Sequence, residues 1–358
     1  MINTIETRIN NGEFVLIAEI GVNYYDIATK EGISPMEAAK LMIDKAKEAG
    51  IHAVKFQTYK AETLAAKESP SYWDTTEETE TSQYSLFKKF DAFGEKEYRE
   101  LADYSEKIGI EFLSTAFDNE SADYLDDMMN VYKISSSDLN NLAFVEYQAK
   151  KNKPIILSVG ASNKDEIDRT IATIRKYNDK KITLLHCVLE YPTPVEHANL
   201  NKIASLVKEY PDVVVGYSDH TKPDFNYEIL QTAYNLGAKV IEKHYTLDKT
   251  LSGNDHYHAM DNVDAKNIIE KIDYLNKIRG TYELKCLESE TVARANARRS
   301  LVAAVDIKAG EVITRDMITY KRPGSGISSS EFDNVIGLKA TTNIAEDTIL
   351  QWEMIERV

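Results

Sequence analysis

Two histidines mark the stretch of this chain with the densest chemistry. Residues 213–260 read VVVGYSDHT, then a helical pattern ending at Gly237, then KVIEKHYTLD and LSGNDHYHAM. His220 and His244 each stand at the C-terminal end of a short β-branched run, and one amphipathic helix separates the two runs. In a parallel strand-helix-strand unit those ends are neighbours, so the spacing predicts that both imidazoles face one cavity. Imidazole nitrogens bind divalent ions, and the expected chemistry is one ion on His220 and His244, completed by a carboxylate or water. Two hydrogen-bonded structural histidines are the alternative. Asp219, Glu242, Lys243, Asp255, His256 and His258 surround the pair in the sequence.

The elements that must position these residues repeat. A short apolar run followed by an amphipathic helix recurs along the chain, beginning with VLIAEIG and SPMEAAKLMIDKAKEAG and ending with KVIEKHYTLD and DAKNIIEKIDYLNKIRG. Ser34 can cap the first of these helices, Pro35 suits its first turn and Gly50 its end. Eight such units, with strands apolar enough to be buried on both faces, predict a closed (β/α)8 barrel. An open doubly wound sheet lacks its usual sign, because no GxGxxG follows the first strand. Glu19, Lys55, Gln57, Ser114, Thr115, Lys133, Ser136, Asp138, Ser158, His186, Ser218, His220, Glu242 and His244 fall at or near C-terminal strand ends. Barrels carry their active sites on that face.

Composition narrows the functional classes. The 358 residues carry 58 acidic and 43 basic side chains, a net charge of -15. Such a surface repels nucleic acid and anionic lipid, so an anionic substrate must be drawn by local cations. Cys187 and Cys286 lie far apart, which argues against a disulfide framework and for a reducing, cytoplasmic setting. No stretch reaches the roughly 20 apolar residues of a membrane span. The segment 61–93, with SPSYWDTTEETETSQYSLFKKF, is too long for a strand-helix turn and reads as a lid or partner-binding segment. Its acidic run, 77–80, reads as a solvated face.

The C-terminal region contains a repeat. Leu301, Ala303, Ile307, Val312, Ile313, Met317 and Ile318 recur 37 positions later as Leu338, Ala340, Ile344, Ile349, Leu350, Met354 and Ile355. This predicts two similar short-strand units about a pseudo-twofold axis, in a small β-rich domain that gains by docking. Expected boundaries are a barrel over 1–280, a linker over 281–297 and the small domain over 298–358. Arg322, beside a Pro-Gly turn between the two halves, is a candidate anion ligand in a barrel mouth.

IAEIGVN, KFQT, FLSTAFD, YKISSSDLNN, KPIILSVGAS, LLHCVLEYPTP, GYSDHT, IEKHYTLD and KRPGSGI, in that order, resemble the bacterial sialic acid synthase family. NYYDIA and SPSYWD are similar to its legionaminic acid synthase subgroup, and the C-terminal part resembles the family's antifreeze-like (SAF) domain. The resemblance implies condensation of phosphoenolpyruvate with an open-chain N-acylated hexosamine such as N-acetylmannosamine, giving N-acetylneuraminate and phosphate. The alternative acceptor is 2,4-diacetamido-2,4,6-trideoxymannose, and the alternative from another class is a non-catalytic sugar-binding barrel. Lys55, Lys133, Ser136, Ser158 and Ser218 can supply the cations and hydroxyls that phosphoenolpyruvate needs. The family match makes Glu19 and Glu242 carboxylate bases, with Asp138 a third candidate where the family often has glutamate. It also places Asp255, Gln57, Tyr191 and Arg322 on the sugar. A divalent cation on His220 and His244 follows, manganese first, with magnesium or cobalt as alternatives. A domain-swapped homodimer follows from the match at Arg322.

Overall fold

Eight parallel strands alternate with helices because each apolar run is too short and too β-branched to continue as a helix. The structure, a computed structural model, describes residues 3–356 apart from Asp74, Glu77 and Asn254. The strands are β1 (Val15–Gly21), β2 (Ala53–Thr58), β3 (Glu111–Ala116), β4 (Tyr132–Ile134), β5 (Ile155–Ser158), β6 (Ile182–His186), β7 (Val214–Asp219) and β8 (Val240–His244). They pair in sequence order and close β8 onto β1, which is the predicted barrel. The helix Pro35–Glu48 starts as its sequence dictates. Ser34 accepts from the Glu37 amide, Glu37 reaches back to Ser34, and proline occupies the first turn.

The barrel has two cores, and the alternation of side chains along each strand separates them. Leu16, Ala18, Ile20, Val54, Phe56 and Phe112 face outward and pack beneath the helices. Val15, Ile17, Ala53, Leu113, Val131, Ile156, Leu185 and Val240 face inward and close the barrel floor, with Ile5 of the short N-terminal helix Ile5–Asn10 added from below. The Ile5 amide donates to Glu111, which fixes that helix to the start of β3. Gly216 lies on the inner face of β7, where a Cβ would stand 2.3 Å from the Val240 carbonyl oxygen. Only glycine fits there.

The chain divides into two compact units, Met1–Arg279 and Gly280–Val358. In the second, a short helix, Thr291–Ala297, precedes β9 (Ser300–Ala303), β10 (Ile318–Lys321), β11 (Lys339–Ala340) and β12 (Ile355–Glu356). β9 pairs with β10 and β11 with β12, both antiparallel. The 37-residue repeat is visible in the hydrogen bonds. Ile307 and its repeat mate Ile344 exchange amide-carbonyl bonds of 2.8 Å, as expected of two residues facing each other across a twofold axis. Leu301, Ile307, Ile313, Ile344 and Leu350 fill the unit's own core. No described helix is long and apolar enough to cross a membrane.

Candidate active site

Alternation also decides which polar side chains meet. Two residues beyond the inward floor positions come Glu19, Lys55, Thr115, Lys133, Ser158, Cys187 and Glu242. All of them line one small cavity of about 70 Å³, together with Ser218, Ser135, Ser136, Gln57, Tyr191, His220 and His244. The opposite alternation sends chemistry outward. Ser114 is 2.5 Å from the Thr58 hydroxyl, and His186 Nε2 meets the Ala198 carbonyl oxygen at 2.8 Å. Lys243 donates to Asp219 at 2.5 Å and to the Thr221 carbonyl at 2.7 Å. These groups hold the outer layer together and do not line the cavity.

Four buried charges form the cavity's base. Lys55 is paired with Glu19, stands 3.8 Å from Glu242, and donates to Thr115 at 3.1 Å. Lys133 lies 3.8 Å from Glu242 and donates to Ser158 at 2.7 Å. Ser218 donates to Glu242 at 3.1 Å, and Gln57 donates to Glu19 at 2.8 Å. Burial pushes Glu19 up to about 7, against the pull of Lys55 and with the push of Glu242. Burial also acts on Glu242, but Lys133 and Lys55 outweigh it and hold that carboxyl below its ordinary value. Lys133 is lowered by burial, whereas for Lys55 the same burial is overcome by Glu19 and Glu242 and its value rises. Two nearby carboxyls are thus driven apart, one ionised and one poised near neutrality, a pattern suited to proton transfer.

Above this layer the imidazoles converge. The His220 and His244 rings lie 5.5 Å apart between centroids, with Tyr191 tilted over His220 at 4.2 Å. His220 Nδ1 is 2.8 Å from the Val188 carbonyl oxygen, so Nδ1 carries the proton and Nε2 keeps its lone pair. Among the described residues, His244, Asp255 and His258 bring their donor atoms within 4.8 Å of one another. Nδ1 of His244 and both ring nitrogens of His258 are buried without a hydrogen-bond partner among the described residues. Orphaned nitrogens beside a carboxylate fit a divalent ion. His258 was not among the ligands expected from sequence. Its signal was present in the HYH of LSGNDHYHAM, where His256 and His258 divide the work. His256 is tied to Thr246 at 2.7 Å and to Asp26 at 3.1 Å, whereas His258 lies beside His244 and Asp255.

A second cavity of about 460 Å³ continues from the first, sharing Gln57, Tyr191 and His244. Asp255, Asn23 and Asp26 supply its polar wall, and Tyr72, Trp73, Leu86, Phe87 and Phe90 its apolar one. The apolar wall comes from the long segment after β2, which contains the short helices Ala61–Leu64 and Gln83–Lys89. Its acidic run does not form the expected solvated face. Glu78 and Glu80 lie 3.8 and 3.4 Å from Lys89, and Glu78 lines the cavity, while Glu77 lies outside the described residues.

One expected site residue stands elsewhere. Asp138 does not line either cavity, and its oxygen is 3.4 Å from the Asn141 amide nitrogen. The cause is the 3₁₀ turn Ser136–Asp138: at about three residues per turn, Ser136 and Asp138 cannot share a face, and Ser136 takes the inner one. Arg322 is exposed at the end of β10, within the C-terminal unit.

A (β/α)8 barrel with paired buried charges and convergent imidazoles at its C-terminal strand ends is the framework of a barrel enzyme. Residues 42–283 match the NeuB family and residues 298–356 the SAF domain, and the chain belongs to the NeuB family. It is 34% identical to an N,N'-diacetyllegionaminic acid synthase of Legionella pneumophila, over 99% of this chain and 98% of that protein. It is 38% identical to the protein of the same description from Campylobacter jejuni, over 94% of this chain and 98% of the other. Among solved structures, an N-acetylneuraminic acid synthetase from Leptospira borgpetersenii superposes with a TM-score of 0.67. That match has 31% identity and covers 78% of this chain and 90% of that one.

Proposed function

We propose that this chain condenses phosphoenolpyruvate with the aldehyde of an open-chain N-acylated hexosamine and water, releasing phosphate and a nonulosonic acid. The observation that carries this reading is the buried layer of Lys55, Lys133, Glu19 and Glu242 in a NeuB-family barrel. Lys55, Lys133, Ser136, Ser158 and Ser218 supply cations and hydroxyls for a small trianion. Glu19, poised near neutrality, suits the role of base toward the water that adds at C2, and Glu242 holds the two ammonium groups in place. Gln57, Tyr191 and Asp255 line the path to the larger cavity and are the proposed sugar contacts. A divalent cation on His220 and His244, manganese by ligand type, would supply Lewis-acid polarisation of the aldehyde oxygen. Arg322 is proposed to serve the sugar site of a partner subunit in a homodimer, so sedimentation should give a dimer, and a monomer would remove that role. A cytoplasmic setting accords with this biosynthetic chemistry.

Two acceptors fit the class, N-acetylmannosamine and 2,4-diacetamido-2,4,6-trideoxymannose. Tyr72, Trp73, Leu86, Phe87 and Phe90 favour the second, because an apolar wall matches a second acetamido methyl and a deoxygenated C6. The names of the two bacterial relatives point the same way. Phosphate release from phosphoenolpyruvate, with each sugar in turn and manganese present, tests both levels. Release with the diacetamido sugar at the higher kcat/KM is expected, and preference for N-acetylmannosamine would reverse the choice of acceptor. Release with neither would leave a non-catalytic sugar-binding barrel.

A further inference from the structure

Among the described residues, neither ring nitrogen of the buried His258 has a partner, a costly arrangement for a group whose position packing alone could fill with an apolar side chain. Its ring centroid lies 4.8 Å from that of His244 and 6.3 Å from that of His220. Asp255 closes the group, with its oxygen 3.6 Å from His244 Nδ1. The ring stands within 5.9 Å of Tyr191 and 5.1 Å of Tyr257, and neither contact satisfies a ring nitrogen. His256, two residues earlier, has partners at both nitrogens. The bonds it makes to Thr246 and Asp26 anchor the loop that carries Asp255 and His258, so the geometry of the pair is built rather than incidental.

We propose that His258 is a metal ligand, which with His244 and Asp255 gives this chain a nitrogen-rich site that selects a divalent transition ion and rejects magnesium. The physical basis is ligand type. Each imidazole added to an oxygen set favours manganese, cobalt or zinc over magnesium, which takes oxygen and keeps its waters. A site on His220 and His244 alone leaves His258 with no function; a site that includes His258 employs Nδ1 of His244 and one of the two orphaned His258 nitrogens. This inference rests on the proposed metal site and narrows it.

The test is cobalt binding to the full-length protein stripped with chelator and free of both substrates, read by equilibrium dialysis and by the ligand-field absorption of the bound ion. Wild type is expected to bind one cobalt per chain, and a large excess of magnesium should not displace it. His258→Ala should weaken binding on the order of a hundredfold and change the absorption. His258→Gln keeps most of the volume, so it supplies the same comparison should the alanine variant fail to fold. Wild-type binding in both His258 variants, with loss in His244→Ala, would overturn the inference and leave the metal reading intact. Displacement of cobalt by magnesium would overturn the selectivity. No binding to wild type would remove the metal site itself and this inference with it.

Discussion

Replacing Lys55 by methionine should destabilise the barrel in a pH-dependent way that a second substitution relieves. The ammonium is fully buried, paired with Glu19 and 3.8 Å from Glu242. At an effective dielectric constant of about 20, a pair at that distance is worth about 4 kcal/mol before desolvation is counted. Removing one partner of a buried ion pair costs about 3–5 kcal/mol, because the other charge is left unpaired. Lys55→Met leaves Glu19 and Glu242 facing Lys133 alone. Glu19, already at about 7, loses the cation that held it down and moves higher. The sign follows. A carboxyl whose folded value exceeds its unfolded value of 4.5 stabilises below the unfolded value, and that stability is lost as pH rises through the folded one. The variant should therefore lose about 3–5 kcal/mol at pH 9 and regain part of it toward pH 6, at up to about 1.4 kcal/mol per pH unit.

Adding Glu19→Gln should recover about 2 kcal/mol at pH 9 and flatten the pH dependence, since the uncompensated carboxylate is gone. Both variants should lose turnover. Urea unfolding read by the fluorescence of Trp73, in a Trp352→Phe background that silences the C-terminal unit, measures the barrel. Equal cost at pH 6 and pH 9, or a further loss when Glu19→Gln is added to Lys55→Met, would refute the reasoning.

The same assay reads two further predictions outside the cavity. His52 Nδ1 accepts the Leu16 amide at 2.8 Å, and burial, helped by Arg8, lowers it to about 4. Its stabilisation is present above 6.5 and lost as pH falls toward 4, about 2 kcal/mol after allowing for its partial exposure; His52→Gln should lack this part of the acid slope. Lys243→Met strands the buried Asp219 carboxylate 2.5 Å from the missing ammonium and should cost about 3–5 kcal/mol, whereas Lys243→Met with Asp219→Asn should cost less. A Lys243→Met barrel as stable as wild type would mean the pair carries little of the outer layer.

The eight-fold alternation of strands and helices, the capping box at Ser34 and the 37-residue repeat were legible in the sequence because each is set by neighbours close along the chain. So was the gathering of Glu19, Lys55, Lys133, Ser158, Ser218, Glu242, His220 and His244 at strand ends. What the one-dimensional pattern could not give was the side on which each strand-end residue falls. Strands buried on both faces read as unbroken apolar runs, so the period-two signal that would separate Lys55 from Ser114, or Glu242 from Lys243, is absent. Closing β8 onto β1 makes one alternation the interior, and that step alone sends Lys243 outward to Asp219 and leaves Glu242 with the two lysines. Residues beyond the strands obey local turn geometry and loop anchoring instead. A 3₁₀ turn therefore excluded Asp138, and the bonds made by His256 brought Asp255 and His258 to His244. Short-range chemistry set the parts and their order, while ring closure and loop anchoring, which depend on contacts between residues distant in the chain, decided which side chains meet.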